Sequence, residues 1–537
     1  MHRLILACAL VAACSTASEA TDAATDTSRV DAAPDAGLEN DALAEDGAAP
    51  EDAAVPEDAT ASVDSGPIDE TPPVWAPCDT QPWYDGYPLP AAGVECTSIE
   101  VPLDHDDPQG SAIALRVARA KSNVFPSGRA VFQLAGGPGG TSVGQSGIIP
   151  RVLPGLLADF DLIYVDQRGT GGSGYMDCRG GYPRDRAGWE ACGREHAGQP
   201  LDHYRTVDAA HDLEWVRRRL RYDRISLRGG SYGTRLALEL MRQHPNSLEA
   251  VVLDGVDPPD NSYFRDFTVS FDRGVDRLVA DCAASPACRT VSPTLASDLQ
   301  TWRDRMRSSP RPITVGGTPT TEDEQTFLDT LSVAVGDSYY RFSVPRALHA
   351  IVNGSSARWN ALMSDIWGAT IRDAPHARHR GARALRRRLP ARGQPYVAPG
   401  LFMTVLCAES LPNAPDLDAL DQLAATQHWG GHDTVELGRA CAAWTVSPLE
   451  AELRTLVHSD ISVLLMNGDL DINTFPEAGA HAAMALSKAT NLIVPYATHS
   501  TMSVPCAGNI MTEFLRERGD MSAVDTSCLS RVPEPAW

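Results

Sequence analysis

Residues 229–233 read Gly229-Gly230-Ser231-Tyr232-Gly233. Before them, Arg224-Ile225-Ser226-Leu227 has the make-up of a short strand. After them, Thr234-Arg235-Leu236-Ala237-Leu238-Glu239-Leu240-Met241 has that of a helix. A serine on a strand-to-helix turn is held in a strained backbone conformation, and glycines on either side let neighbouring chains approach closely. Its hydroxyl then projects from the top of a sheet. The helix start behind it offers N–H groups that lack intrahelical acceptors and suit a developing oxyanion. The pentapeptide alone is a weak signal, because glycine and serine are common; the flanking strand and helix give it weight.

Working outward, apolar runs of strand length alternate with helical patterns. Ser98–Leu103 and Ala112–Ala120 read as strands joined by an Asp/Gly-rich turn, and Ala130–Leu134, Leu162–Val165, Ile225–Leu227 and Ala250–Leu253 read as further strands. Thr206–Leu220 reads as a helix with Val207, Leu213, Val216 and Leu220 on one face. Strands alternating with helices predict a mostly parallel sheet with helices on both faces. From about residue 262 to 455 the pattern turns mainly helical, with loops expected near Pro310–Pro319 and Ala391–Pro399. The earlier rhythm resumes with strand Ile461–Met466, helix Pro476–Leu486, strand Asn491–Val494 and helix Ala507–Arg516. A helical insertion placed before the last strands is expected to cap the site. The organisation expected is therefore a core over 75–261, a cap over 262–455 and a second core segment over 456–537.

Ser231 needs a base to take its proton and a carboxylate to orient that base. Two aspartates compete in Asn467-Gly468-Asp469-Leu470-Asp471, just past the strand Ile461–Met466, and Asp254 at the end of its own strand is a third candidate. His499 follows the strand Asn491–Val494 in Tyr496-Ala497-Thr498-His499. Groups that follow parallel strands gather on one edge of the sheet. Two backbone donors are expected for the oxyanion. One is the N–H of Tyr232, and the other is the N–H of Gly137 in Ala135-Gly136-Gly137-Pro138-Gly139-Gly140, after the strand Ala130–Leu134. A phosphate-binding reading of that loop is weaker, since no Gly-Lys-Ser/Thr follows.

Gly-Gly-Pro-Gly-Gly, then Asp166-Gln167-Arg168-Gly169-Thr170-Gly171, then Gly229 to Thr234 and Asp254-Gly255-Val256, together resemble the prolyl aminopeptidase and tripeptidyl aminopeptidase branch of the α/β-hydrolases. The stretch from Gly468 to Cys528 resembles that branch's TAP-like C-terminal domain, and the likeness covers roughly residues 76–530. The order Ser…Asp…His is the order of that fold. The resemblance implies the α/β-hydrolase fold, a triad of Ser231, Asp471 and His499, no cofactor, a peptide substrate and an exopeptidase working through an acyl-enzyme. By matching, it places the acid at Asp471 rather than Asp469. It also sets Glu409, in Val405-Leu406-Cys407-Ala408-Glu409, where a carboxylate meets a substrate's free α-amine. Three positions depart from the branch's pattern: Ile472 where a proline is usual, Thr498 where a glycine is usual, and Ala135 where a histidine opens the loop. An esterase with the same triad and an inert tethered binding protein are the alternatives.

The net charge of −24 is unevenly spread: residues 15–72 hold sixteen acidic residues against Arg29 and no aromatic residue. Such a tract cannot bury enough apolar surface to fold, so 15–74 is expected to be a disordered tether. No long basic stripe offers itself to nucleic acid, since runs such as Arg217–Arg219 and Arg386–Arg388 are short. Arg3 followed by the apolar stretch Leu4–Ala13 reads as an export signal too short to span a bilayer. Its end, Val11-Ala12-Ala13-Cys14, resembles a lipobox, so lipidation at Cys14 and a place on the bacterial cell envelope are expected, with the membrane met only through that anchor. Ten further cysteines suit disulfides in an oxidising compartment. Proximity suggests Cys78–Cys96, Cys178–Cys192, Cys282–Cys288, Cys407–Cys441 and Cys506–Cys528, though spacing alone does not fix connectivity. No Cys–His pattern points to a metal.

Overall fold

The fold follows from which strands are buried on both faces. In the computed structural model, which describes residues 71–78, 93–179, 181–373 and 396–537, five strands run parallel and side by side in the order β5 (Asp161–Val165), β4 (Ala130–Leu134), β6 (Ile225–Gly230), β7 (Leu248–Asp254) and β11 (Ser462–Gly468). β4 and β5 have no exposed residue, as expected where helices cover both sides. β12 (Ala489–Val494) extends the parallel set at one edge. At the other edge β3 (Ala112–Ala120), β2 (Glu95–Pro102) and the short β1 (Ala76–Pro77) run antiparallel, which completes nine strands. The signal-like segment, Cys14 and the acidic tract up to residue 70 lie outside the described residues, as does most of the loop expected near 391–399.

Alternation along the central strands feeds two apolar layers. On one face Phe132, Ile163, Leu227, Leu253 and Leu465 pack with Leu213, Val216, Leu236 and Leu240 of the helices Thr206–Arg219 and Tyr232–Gln243. On the other, Val131, Leu162, Val252 and Leu464 pack with Ile510, Met511 and Phe514 of the helix Pro505–Arg516. The chain leaves the sheet after β7, runs into the long helix Tyr263–Ala284 and returns at β11. The excursion between them has its own core around Trp302, Phe327 and Trp359.

Residues 311–322, expected as a loop, form a hairpin: β8 (Arg311–Val315) pairs with β9 (Thr318–Glu322), and β10 (Ile371–Asp373) joins β8. The two-residue turn Gly316-Gly317 has φ of 54° and 83° at its two positions, the geometry that matches strand twist in a tight hairpin. The three prolines of that stretch, at 310, 312 and 319, hid the signal. Its buried anchor is Glu322, which accepts from Trp359 Nε1 at 2.7 Å and Arg311 Nε at 2.9 Å.

Among the described residues there are five disulfides: Cys78–Cys96, Cys178–Cys192, Cys282–Cys288, Cys407–Cys441 and Cys506–Cys528.

Candidate active site

Ser231 sits between β6 and the helix Tyr232–Gln243 with φ 57° and ψ −130°. A side-chain-bearing residue there is strained by roughly 1–3 kcal/mol and persists only where its surroundings hold it. They do so here. Ser231 N donates to Asp254 O at 2.9 Å, and Thr234 donates to Ser231 O from both its N–H and its hydroxyl at 2.7 Å. The Gly-rich loop crosses directly above. A Cβ on Gly136 would stand 2.7 Å from Ser231 Cβ, so only glycine lets the loop come this near. Tyr232 opens the helix, where the first N–H groups have no intrahelical acceptor.

His499 and Asp471 arrive from the C-terminal strands. His499 Nδ1 lies 2.9 Å from Asp471 Oδ2 and 3.1 Å from Oδ1. Asp471 is locked by its own turn: Oδ1 accepts from Asn473 N at 2.8 Å and Thr474 N at 3.1 Å, and Oδ2 accepts from the Thr474 hydroxyl at 2.8 Å. A short acidic side chain bonding backbone N–H groups two and three residues on is an ordinary Asx-type turn. The Asp-x-Asn-Thr spacing carried that signal in the sequence, and Thr474 was missed.

The competing acids are occupied elsewhere. Asp469 faces Arg277 of the helix Tyr263–Ala284 at 3.4 Å, and burial raises its carboxyl above the usual range. Asp254 Oδ2 accepts from Arg228 Nη2 at 2.7 Å. Its Oδ1 accepts from Thr501 N at 3.0 Å and Thr501 Oγ1 at 2.7 Å. Asp254 thus ties together Ser231, through its carbonyl, and the loop that carries His499, through its carboxylate.

Ser231, Tyr232, Gly137 and His499 line one cavity of about 130 Å³, roofed by Tyr263, Phe267 and Tyr396 of the insertion. Tyr263 and Phe267 stack at 4.0 Å, as neighbouring aromatics one helical turn apart can. The Gly-rich loop is bonded to the roof: Ala398 N donates to Gly139 O at 2.9 Å, and Gly140 pairs with Val397 as a single β-bridge.

Glu409 does not itself line this cavity, although Leu406 and Ser410 beside it do. It is buried behind the cavity in a turn of π-helix, Leu406–Ser410, a geometry that redirects side chains within a helix. Its two oxygens accept from Thr206 N and Thr206 Oγ1, each at 2.7 Å, and Arg235 Nη1 stands 3.9 Å away. Burial raises its carboxyl, and Arg235 pulls it back. Thr206 Oγ1 also meets Tyr232 OH at 2.8 Å, so Glu409 belongs to a chain of groups that reaches the Tyr232 hydroxyl. The carboxylates on the cavity wall are Asp254, Asp257 and Asp266.

The Asp166-to-Gly171 run does its work out of sight. Asp166 accepts from Thr141 Oγ1 at 2.6 Å and from Val143 N and Gly172 N at 2.9 Å, which fastens the end of the Gly-rich loop to the β5 turn. Arg168 is buried and holds Asp212 with two bonds of 2.7 and 2.6 Å. Among the described residues one group is compact enough to suggest a metal, Cys178, Cys192 and His196, but the two sulfurs are joined to each other.

A family model described as α/β hydrolase fold matches residues 130–340, and one described as TAP-like protein matches residues 427–528. The chain has the α/β-hydrolase fold, and its C-terminal part is similar to the TAP-like family. It is similar to serine protease Hip1 of Mycobacterium tuberculosis, with 28% identity over 245 residues, 40% of this chain and 46% of that protein. Tripeptidyl aminopeptidase of Streptomyces lividans is 27% identical over 192 residues, 31% of this chain and 36% of that one. Carboxylesterase B of Mycobacterium tuberculosis is 29% identical over 246 residues, 41% and 46%. The matched region therefore spans less than half the length of each of these relatives.

Proposed function

We propose that the protein is a serine hydrolase, and that its substrates are peptides cut near a free N-terminus. The observation that carries this reading is the His499–Asp471 contact of 2.9 Å in the wall of the cavity that holds the strained Ser231. Ser231 Oγ adds to the scissile carbonyl carbon while its proton passes to His499 Nε2, the nitrogen not engaged by Asp471. The oxyanion is held by the N–H groups of Gly137 and Tyr232. The C–N bond then breaks, and His499 gives the proton to the leaving amine. Water repeats the sequence on the acyl-enzyme and frees Ser231. Asp257 and Asp266 line the cavity and offer carboxylate oxygens to a substrate ammonium, whereas Glu409 does not line it. The peptidase names among the relatives support a peptide substrate, and carboxylesterase B keeps the ester reading open as the alternative.

Aminoacyl- and tripeptidyl-p-nitroanilides, with free and acetylated N-termini, test this against p-nitrophenyl esters. Cleavage of the free peptides should exceed that of the acetylated ones, and Ser231→Ala should lower turnover on the order of 10⁴–10⁶-fold. Equal rates with and without acetylation would remove the exopeptidase reading, and an active Ser231→Ala variant would remove the nucleophile. We further infer an exported protein held at the cell envelope through Cys14, a reading supported by five disulfides. Cys14→Ala should move the protein from the membrane to the soluble fraction; an unchanged distribution rejects the anchor.

A further inference from the structure

Arg228 is an unusual tenant of a central strand. It is 2% exposed, on a strand whose other positions before the nucleophile turn are apolar or small. Strand register sets Gln133 of β4 and Val252 of β7 beside it, and Tyr164 of β5 beside Gln133. Register partners in a parallel sheet share a face. A polar row of Tyr164, Gln133 and Arg228 therefore crosses a layer that is otherwise apolar. Burying a guanidinium is costly unless its donors are used, and a pair of well-packed apolar residues would stabilise the fold as well.

The donors of Arg228 are hardly used. Of five N–H groups on a guanidinium, one bond is made among the described residues, from Nη2 to Asp254 Oδ2 at 2.7 Å. Its Nε is buried without an acceptor, and Gln145 Oε1 is buried without a donor. Asp254, by contrast, is saturated, since its other oxygen takes both donors of Thr501. Arg228 and Gln145 both line the cavity that contains Ser231 and His499. A Cβ built on Gly230, the residue before the nucleophile, would lie 3.9 Å from Nη1 and from Nη2. The floor beside the nucleophile thus presents a partly unsatisfied planar cation.

We propose that Arg228 forms a carboxylate subsite on the floor of this cavity, so that substrates with an acidic group within one residue of the attacked carbonyl are preferred. This rests on the hydrolase reading above. The planar fork of arginine matches a carboxylate in shape, and its bonds strengthen where walls such as Met502 and Tyr396 exclude water. Each carboxylate on the cavity wall already faces an arginine: Asp254 meets Arg228 itself at 2.7 Å, Asp257 meets Arg235 at 3.1 Å and Asp266 meets Arg265 at 2.8 Å. The carboxylate has two possible sources: the side chain of the residue whose carbonyl is attacked, or the free carboxy terminus of the residue beyond the cut.

Matched substrates distinguish these. One arm compares Glu with Gln at the attacked residue, and the other compares a free carboxylate with an amide at the end of a one-residue leaving group. The acid-over-amide ratio of kcat/KM should be about tenfold or more in one arm. The ratio should fall towards one in Arg228→Gln and be partly kept in Arg228→Lys. Because each ratio is internal to one preparation, a partly unfolded variant leaves it unaffected. Ratios near one in both arms for the unaltered protein overturn the subsite, as does a ratio that survives Arg228→Gln. Fluorophosphonate labelling in parallel separates the two layers. A labelled, active protein without acid preference sinks the subsite alone, whereas no label and no turnover sinks the hydrolase reading with it.

Discussion

At the level of single residues, the site depends on which of two aspartates, two positions apart, faces the histidine. Asp471 meets His499 and Asp469 meets Arg277. Asp471→Asn should lower kcat by roughly 10⁴-fold, because the amide favours the wrong imidazole tautomer, while Asp469→Asn should cost less than tenfold. Steady-state rates of the two variants check this, and the reverse ranking would move the acid. Sequence alone left both aspartates open, since each follows the same strand; the choice came from family likeness. The strained serine and the Gly-rich loop were legible because backbone strain and close approach leave a mark in glycine. The floor arginine was not, because nothing in Ile225-Ser226-Leu227-Arg228 says which way a strand residue points. Glu409 was legible as a carboxylate in the insertion, but its partner Thr206, 203 positions away, was not.

At the level of elements, the helices Thr206–Arg219 and Tyr232–Gln243 meet through a pair of histidines. His211 Nδ1 lies 2.9 Å from His244 Nε2, so one ring donates and the other must accept. Burial, with each other's charge added for His211, pushes His211 down to about 4 and lowers His244 as well. Around them stand the His105–Asp212 pair at 3.0 Å and the Glu214–Arg217 pair at 2.6 Å. Both imidazoles are neutral in the fold, so above about pH 6.5 they impose no penalty. As pH falls from there towards about 4, the unfolded chain gains protons that the folded chain does not, and stability is lost by roughly 1–3 kcal/mol. The thermal midpoint should fall between pH 7.5 and pH 5, and less so in His211→Gln. An equal fall in the variant would acquit the pair. The central strands and their helices were readable from apolar runs and periodicity. The β8–β9 hairpin was not, because prolines at its start and beside its turn mimic a loop.

For the whole molecule, the bridges matter most where they restrain the roof. Cys407 lies in the π-helical turn that carries Glu409, and its bridge to Cys441 closes a separation of 34 residues. Loss of a link of that span costs about 2–4 kcal/mol. Cys407→Ala with Cys441→Ala should therefore melt several degrees lower and lose activity before it unfolds; identical melting in both forms would count against the estimate. Nearest-neighbour pairing was visible in the spacing of the cysteines. The attachment of the insertion to the Gly-rich loop was not, because its contacts join residues more than 250 positions apart. That attachment has a mechanical consequence. Ala398 and Val397 hang the ceiling of the cavity from the same peptide segment that, in the proposed mechanism, grips the reacting oxygen. A bulky guest that prises the ceiling upward would drag this segment out of line, binding more while reacting less. Slender chains that slip beneath it escape that penalty, and turnover across substrates of graded girth would expose the trade.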